Sequence, residues 1–413
     1  MLKAASISPS INNGYKIIVG GFAAQFFSVG FFTYSVSLFF PMIIFELDSD
    51  ITEIMFGPTF ATVIGLVAMP IAGILLDRYS IRLIMMLGSV FFAAGLWGLA
   101  KISSATQFIV VFGITMSISN CLVGSMSSST LISHWFAENR GRALGFSAAG
   151  TSIGGIALPA SFAFLINSYG WRTTLELFSA SILLILLPII LFTVRDKPTP
   201  EKEKVDLIRV DSESLSIKSS AEMTTRDFIS NPNFWYLGIS LGILFSGYSA
   251  ILANLTPYAI DLGLDTKDAS FFIMIIAING LLGKLLFGFA ADKFPLRSCL
   301  VVAQILVLLG FVILASMPSF LIICLACIVL GLSTGGMLPV WGALMAKLFG
   351  LRHYGRATGL MAPIITICVI PGYSVMGVLY STSGDYQLSL YLFCISLIIG
   401  IALLIPLKVN SDS

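Results

Sequence analysis

Twelve apolar stretches separated by polar segments constrain this chain more than any other feature. A helix needs about 20 apolar residues to cross a hydrocarbon core about 30 Å thick. Continuous apolar runs such as residues 181–192 favour helices over the alternating strands of a membrane barrel. The sequence therefore predicts an all-α membrane protein with twelve transmembrane helices. They are expected near residues 16–45, 54–76, 83–100, 107–135, 143–166, 173–194, 234–260, 269–290, 299–316, 319–346, 357–380 and 386–407.

The distribution of basic residues predicts the orientation. Of the 23 Lys and Arg, 19 fall on one side of the membrane if the N-terminus is cytoplasmic. Only Lys101, Arg172 and Lys267 fall on the other side, and Lys284 lies inside a helix. This bias places both termini in the cytoplasm of a multi-pass protein of the cell membrane. The net charge of +2 is too small to indicate a nucleic-acid partner.

All six cysteines lie in apolar runs or at their ends. Cys324 and Cys327 have the spacing of a redox or zinc motif, but they fall inside the tenth run. Small apolar core residues are the interpretation that we favour. We expect no disulfide, no metal site and no cofactor.

The chain contains an internal duplication. A polar stretch with Pro198, Pro200 and a Ser-rich segment separates six runs from six others, so we predict an N-terminal bundle at 1–194, a cytoplasmic linker at 195–233 and a C-terminal bundle at 234–413. Two groups of residues recur in the second half at nearly the same offset along the chain, which indicates two pseudo-symmetric six-helix bundles. The recurring groups are Gly73, Asp77, Arg78 and Arg82 with Gly288, Asp292, Lys293 and Arg297, and Gly141 and Arg142 with Gly355 and Arg356.

These recurring residues predict a gate at the cytoplasmic ends of the helices. Asp77 and Asp292 can cap the next helix or pair with loop arginines, and so hold helix ends together in one state. Simple anchoring of the topology by positive loops is the alternative. The predicted gating and structural residues are Gly73, Asp77, Arg78, Arg82, Arg140, Arg142, Gly288, Asp292, Lys293, Arg297 and Arg356.

Lys284 is the basic residue that topology does not explain. No acidic residue lies within seven positions of it, and a cation at membrane depth costs roughly 2.5–3.5 kcal/mol on insertion scales. It lies eight residues before Asp292, about 12 Å along a helix. An anionic ligand would offset the cost, whereas a structural lysine bonded to backbone carbonyls is the alternative.

Other polar residues in the apolar runs are weaker candidates for the lining of a substrate site. Each of them alone more often makes an interhelical hydrogen bond, worth about 0.6 kcal/mol. The predicted substrate-binding set is Lys284 with Asn279, Tyr34, Asn120, Ser125, Tyr248, Asn254 and Ser333; Gln25, Ser28 and Thr334 are further candidates.

The motif Gly73-x-Leu75-x-Asp77-Arg78-x-x-x-Arg82 resembles the signature of the major facilitator superfamily. Trp135-Phe136 followed by Arg140-Gly-Arg-Ala-Leu-Gly145, and Asn231-Pro-Asn-Phe-Trp235, resemble its monocarboxylate and oxalate/formate transporter branch. The resemblance covers the whole chain and implies the major facilitator fold. It also implies that Lys284, four residues before Gly288, holds the place of a substrate-binding arginine.

The sequence departs from that branch in three places. Gly280 stands where proton-coupled relatives carry an aspartate. The first helix has only Ser35, Ser37 and similar residues where those relatives carry a lysine, and the eleventh helix, at 357–380, lacks the second cation of the oxalate exchangers. One cation suits one carboxylate, because a second carboxylate would remain unpaired in a low dielectric. A lysine also lacks the planar fork of an arginine.

We therefore expect a secondary active or facilitative transporter of a small organic monocarboxylate, not an enzyme. It would work by alternating access as a monomer in the lipid bilayer, with a small organic anion as partner, and a proton as well if transport is proton-coupled. Symport, antiport and facilitated diffusion stay open, because the only acid within a membrane helix, apart from loop edges, is Glu176. An oxalate/formate-type exchanger, a drug or metabolite exporter of the same superfamily, and a sensor that transports nothing are the alternatives.

Overall fold

The computed structural model describes residues 11–49, 51–136, 138–196, 223–264, 266–316 and 319–407. Within these ranges, twelve helices are long and apolar enough to cross a membrane, and no strand is present. They are α1 Ile11–Tyr34, α2 Ile51–Arg78, α3 Ile81–Ala100, α4 Ala105–Trp135, α5 Arg140–Tyr169, α6 Trp171–Thr193, α7 Pro232–Asp261, α8 Thr266–Lys293, α9 Leu296–Ala315, α10 Phe320–Phe349, α11 Tyr354–Ser383 and α12 Gln387–Leu404. The prediction of an all-α protein with twelve membrane helices is confirmed.

Two membrane helices are locally irregular. α4 contains a π turn at Phe112–Met116 and is broken at Gly124, where φ is −81° and ψ is −153°. α6 contains a π turn at Ile182–Leu186. Such turns often occur at functional positions, and the break in α4 lies between Asn120 and Ser125.

A short helix, Thr225–Ser230, lies within the stretch predicted to be a cytoplasmic linker. Thr224 and Asp227 form a capping box at its start, and Phe228 is fully buried against Phe234 and Phe349. One buried aromatic ring therefore anchors a turn whose other residues are mostly polar. Most of the predicted linker, residues 197–222, lies outside the described residues.

The buried apolar side chains form two clusters. One comprises residues 17–194 together with Ala343, and the other comprises residues 228–407. In the first cluster, the rings of Phe31, Phe92, Phe162 and Phe178 contact one another, mostly edge to face, at centroid distances of 4.8–6.0 Å. We call helices α1–α6 the first set and α7–α12 the second set.

The two sets meet along two seams, α2 with α11 and α5 with α8. A Cβ atom on Gly73 would lie 2.2 Å from the carbonyl oxygen of Gly355, and one on Gly145 would lie 2.4 Å from the carbonyl oxygen of Lys284. No side chain fits at these distances. The glycines therefore let the backbones of opposite sets touch, as small residues do in membrane helix pairs.

Candidate functional site

Lys284 lies on the α5–α8 seam with its side chain buried at 6% exposure. Its ammonium group donates a 2.6 Å hydrogen bond to the hydroxyl of Thr151 and another to the hydroxyl of Ser152, both on α5. Among the described residues, these neutral hydroxyls are its hydrogen-bond partners, and no carboxylate pairs with it. The buried lysine thus joins the two sets through hydroxyls and not through backbone carbonyls.

Thr151 and Ser152 were missed by the sequence analysis. They are buried at 3% and 5% exposure, and they lie 133 and 132 residues before Lys284 in the chain. The Thr151 hydroxyl donates to the carbonyl oxygen of Ala148 at 2.9 Å, so its lone pairs remain to accept from the lysine. A Thr-Ser pair in a small-residue helix is a common pattern, and only the packing of α5 on α8 distinguishes this one.

On the α2–α11 seam, the position equivalent to Lys284 holds an uncharged residue, Met69. Met69 lies four positions before Gly73, as Lys284 lies four positions before Gly288, so the two residues correspond in the duplicated motif. Their backbones also make equivalent contacts. A Cβ atom on Gly359 would lie 2.5 Å from the carbonyl oxygen of Met69, just as one on Gly145 would meet that of Lys284. Since the α2–α11 seam closes with a methionine, the cation of the α5–α8 seam is not needed for packing.

The two aspartates of the repeated motif act across the seams. Asp77 accepts hydrogen bonds of 2.7 Å from the backbone N–H groups of both Gly355 and Arg356 at the start of α11. Asp292 accepts from those of Gly141 and Arg142 at the start of α5, at 2.6 and 3.0 Å. Each aspartate thus caps a helix of the opposite set and not the next helix along the chain. A carboxylate is favourable there because it meets unpaired N–H groups and the positive end of the helix dipole.

Some of the remaining predicted gate residues make hydrogen bonds or ion pairs, and others are exposed to solvent. Arg142 approaches Asp292 at 3.5 Å, and Arg356 donates to the carbonyl oxygen of Met223 at 2.6 Å. Arg82 and Arg140 donate to carbonyl oxygens of their own set, those of Leu191 and Phe136. Arg78 and Lys293 are exposed and Arg297 is half-buried, whereas Gly73 and Gly288 lie in the two seams.

A cavity of about 260 Å³ lies between the two sets. It is bordered by α1, α2, α4, α10 and α11, and Asn120 and Ser125 of the predicted site are on its wall. Trp341 and Thr358 also line it, and among the described residues the buried indole N–H of Trp341 has no hydrogen-bond acceptor. Lys284 is not part of this wall; its backbone touches Gly335 of α10, one turn before the lining residue Leu338.

The other predicted site residues do not converge on Lys284. Ser333 is fully buried and donates to Ala303 of α9, inside the second set. The amides of Asn254 and Asn279 donate to carbonyls of their own helices. Tyr34 packs on Gly155 of α5 with 36% of its surface exposed, and Tyr248 packs on the core of the second set.

The family model of the Major Facilitator Superfamily matches residues 22–285 and 275–412. The chain belongs to the major facilitator superfamily. Members of this superfamily are transporters and not enzymes, so the chain is a multi-pass membrane transporter. The prediction of this family from the repeated motif is confirmed.

Curated relatives of this transporter cover most of its length. Monocarboxylate transporter 11 of Homo sapiens is 25% identical over 394 residues, covering 92% of this chain and 79% of that protein. The agnestins efflux protein of Paecilomyces divaricatus is 26% identical over 405 residues, covering 91% and 83%. The riboflavin transporter of Saccharomyces cerevisiae is 26% identical over 337 residues, covering 77% and 63%. The relatives named as monocarboxylate transporters support the predicted branch of the superfamily.

Solved structures of transporters share the fold. A human organic anion transporter aligns with a TM-score of 0.72 at 15% identity and covers 95% of this chain and 99% of its own. A proton:xylose symporter aligns with a TM-score of 0.71 at 15% identity and covers 94% of both chains. At such identities the likeness concerns the fold alone.

Proposed function

We propose that this transporter carries a small organic monocarboxylate by alternating access and that Lys284 binds the carboxylate. The main support is the buried ammonium group of Lys284 on the α5–α8 seam, which among the described residues is hydrogen-bonded only to neutral hydroxyls. A buried charge is stabilised by an opposite charge together with hydrogen bonds, and here the protein supplies only the hydrogen bonds. A carboxylate supplies the missing charge.

The seams support the alternating-access part of the proposal. Both are held at the same face by aspartate caps, so the two sets are closed together there. A cap contributes about 0.5–2 kcal/mol, which is small enough for a transported anion to overcome when the sets rock apart. On this proposal the capped face is cytoplasmic and the protein works as a monomer in the cell membrane, with the anion and, if transport is coupled, a proton as its partners.

The cavity favours a second candidate, the export of a larger metabolite. Its volume of about 260 Å³ is close to the roughly 300–1,000 Å³ of pockets that hold drug-sized ligands. One relative is named as an efflux protein and another as a riboflavin transporter. In this case the cavity would hold the substrate, and Lys284, which lies off the cavity wall, would not bind it.

Uptake into proteoliposomes separates these functions. Radiolabelled formate, lactate, pyruvate, oxalate and benzoate are offered to wild type, to Lys284→Met and to Lys101→Met. We expect Lys284→Met to lower kcat/KM for the transported monocarboxylate by about tenfold to a hundredfold. This is the change that corresponds to the free energy of one hydrogen bond to a charged group. Lys101→Met is the matched control, because Lys101 is exposed and pairs with Glu176 at the surface.

The thermal midpoint shows whether the variant has merely unfolded. Lys284→Met is expected to be at least as stable as wild type, since Met69 fills the equivalent place and apolar replacements of buried charges are often neutral or stabilising. Undiminished monocarboxylate uptake by Lys284→Met would contradict the proposal. Preference for oxalate would indicate the exchanger, and uptake of none of the five acids would favour the exporter.

A further inference from the structure

We propose that Ser152 donates the second hydrogen bond to the transported carboxylate, beside Lys284. This rests on the proposed function, because it assigns a second ligand to the same site. The nearest alternative is that Ser152 serves only to satisfy the buried lysine.

The ammonium group of Lys284 has one N–H donor to spare. A lysine has three N–H donors, of which one points to Thr151 and one to Ser152. The third has no acceptor among the described residues. The lysine can therefore bind an anion without giving up either hydroxyl.

The hydroxyl proton of Thr151 has an acceptor, whereas that of Ser152 has none among the described residues. The proton of Thr151 is committed to the carbonyl oxygen of Ala148 at 2.9 Å, so Thr151 can only accept from the lysine. Ser152 also accepts from the lysine, but no described residue accepts a hydrogen bond from its own proton. Ser152 thus carries an uncommitted O–H donor beside an uncommitted N–H donor.

The duplicated half shows that this arrangement is not imposed by the fold. Thr151 and Ser152 lie ten and eleven positions after Gly141, and the same positions after Gly355 hold Ile365 and Thr366. The hydroxyl of Thr366 donates to the carbonyl oxygen one turn back in its own helix, at 3.0 Å. A hydroxyl at this position can therefore satisfy itself locally, and Ser152 is directed to the lysine instead.

Two adjacent donors match the two oxygens of one carboxylate. Lys284 alone is a point charge and lacks the fork by which an arginine binds both oxygens. With Ser152 on the opposite helix, one oxygen takes the N–H and the other takes the O–H. The anion would then be oriented and would bridge α5 and α8, so the same contact binds substrate and joins the two sets.

The test measures KM in proteoliposomes with radiolabelled formate, lactate, pyruvate and benzoate. We expect Ser152→Ala to raise KM by about tenfold to a hundredfold, the value of a hydrogen bond to a charged group. Ser152→Thr keeps the hydroxyl and should stay within about threefold of wild type. Ser161→Ala is the control on the same helix, because its exposed hydroxyl donates only to Ala157 of its own helix.

The outcomes separate this inference from the function on which it rests. Wild-type KM in Ser152→Ala, together with lost uptake in Lys284→Met, would overturn the role of Ser152 alone. Unchanged uptake in both variants would overturn both proposals, as would absence of uptake by wild type. If Ser152→Ala does not fold, as judged by gel filtration, Ser152→Cys retains a weak donor of similar size. An intermediate KM is then expected, and a wild-type KM would contradict the proposal.

Discussion

At the scale of single residues, Lys284 and Met69 differ in charge although they hold equivalent places in the duplicated fold. A methionine closes one seam, so the membrane does not require a cation at this depth. Retaining a buried charge costs free energy that packing does not recover. The difference between the two seams therefore supports the proposed role of Lys284 more directly than its burial does.

Glu46 is the acidic residue whose titration we expect to affect folding stability. It accepts hydrogen bonds from Arg172 Nε at 2.8 Å and from the indole of Trp171 at 2.6 Å, and these bonds hold its pKa below the ordinary value of 4.5. Because the pKa of Glu46 is lower in the folded state than in the unfolded state, its ionised carboxylate stabilises the fold at pH values above the unfolded-state pKa. This stabilisation is lost as the pH falls through the folded-state pKa. The thermal midpoint of wild type should therefore fall between about pH 5 and pH 3 more steeply than that of Glu46→Gln. Parallel midpoints for the two proteins over this range would contradict the role of the Glu46 carboxylate.

At the scale of secondary structure, α5 and α11 both carry a Gly-Arg pair in their first turn, and both pairs bind a carboxylate from the opposite set. Asp292 serves α5, and Asp77 serves α11. The first N–H groups of a helix have no partner within it, so separating the sets would leave these groups without their carboxylates. The caps thus couple the ends of two helices to the closure of the two seams.

Hydrogen–deuterium exchange can measure this coupling. Removing a cap costs about 0.5–2 kcal/mol, so Asp292→Ala should speed exchange of the Gly141 and Arg142 amides roughly twofold to thirtyfold. Asp77→Ala should do the same for Gly355 and Arg356. Each variant serves as the control for the other helix, where the smaller effect is expected. Unchanged exchange at both helices would show that the carboxylates do not hold the gate.

At the scale of the whole molecule, the pseudo-symmetry of the two sets gives two seams with the same backbone contacts and different chemistry. The α2–α11 seam contacts the wall of the cavity through Met69 and Thr358, and the α5–α8 seam carries the buried lysine. The two copies thus share the backbone arrangement, and only one of them carries a charge at this position. This asymmetry is in line with the proposed alternating access around a single anion bound between the two sets.

The orientation of the molecule is a separate prediction. An even number of spans puts both termini on one side, and the excess of basic residues puts that side in the cytoplasm. Epitope tags at the two termini should therefore become accessible to antibody only after the cell membrane is permeabilised. A tag inserted after Ser103, in the exposed connection between α3 and α4, should be accessible in intact cells. The reverse pattern would invert the assignment of the capped face.

The sequence by itself determined the number of membrane helices, the duplicated motif, the superfamily and the unusual position of Lys284. These are set by local hydropathy over about 20 residues and by recurring short motifs, which do not depend on packing. Only the tertiary structure decided that Asp77 and Asp292 cap helices of the opposite set, and that Thr151 and Ser152 hold the lysine. It also directed Ser333 into its own set and left Lys284 off the cavity wall. The reason is that each of these outcomes depends on which helix faces meet in three dimensions. The residues involved are far apart in the chain; Ser152 and Lys284, for example, are separated by 132 positions.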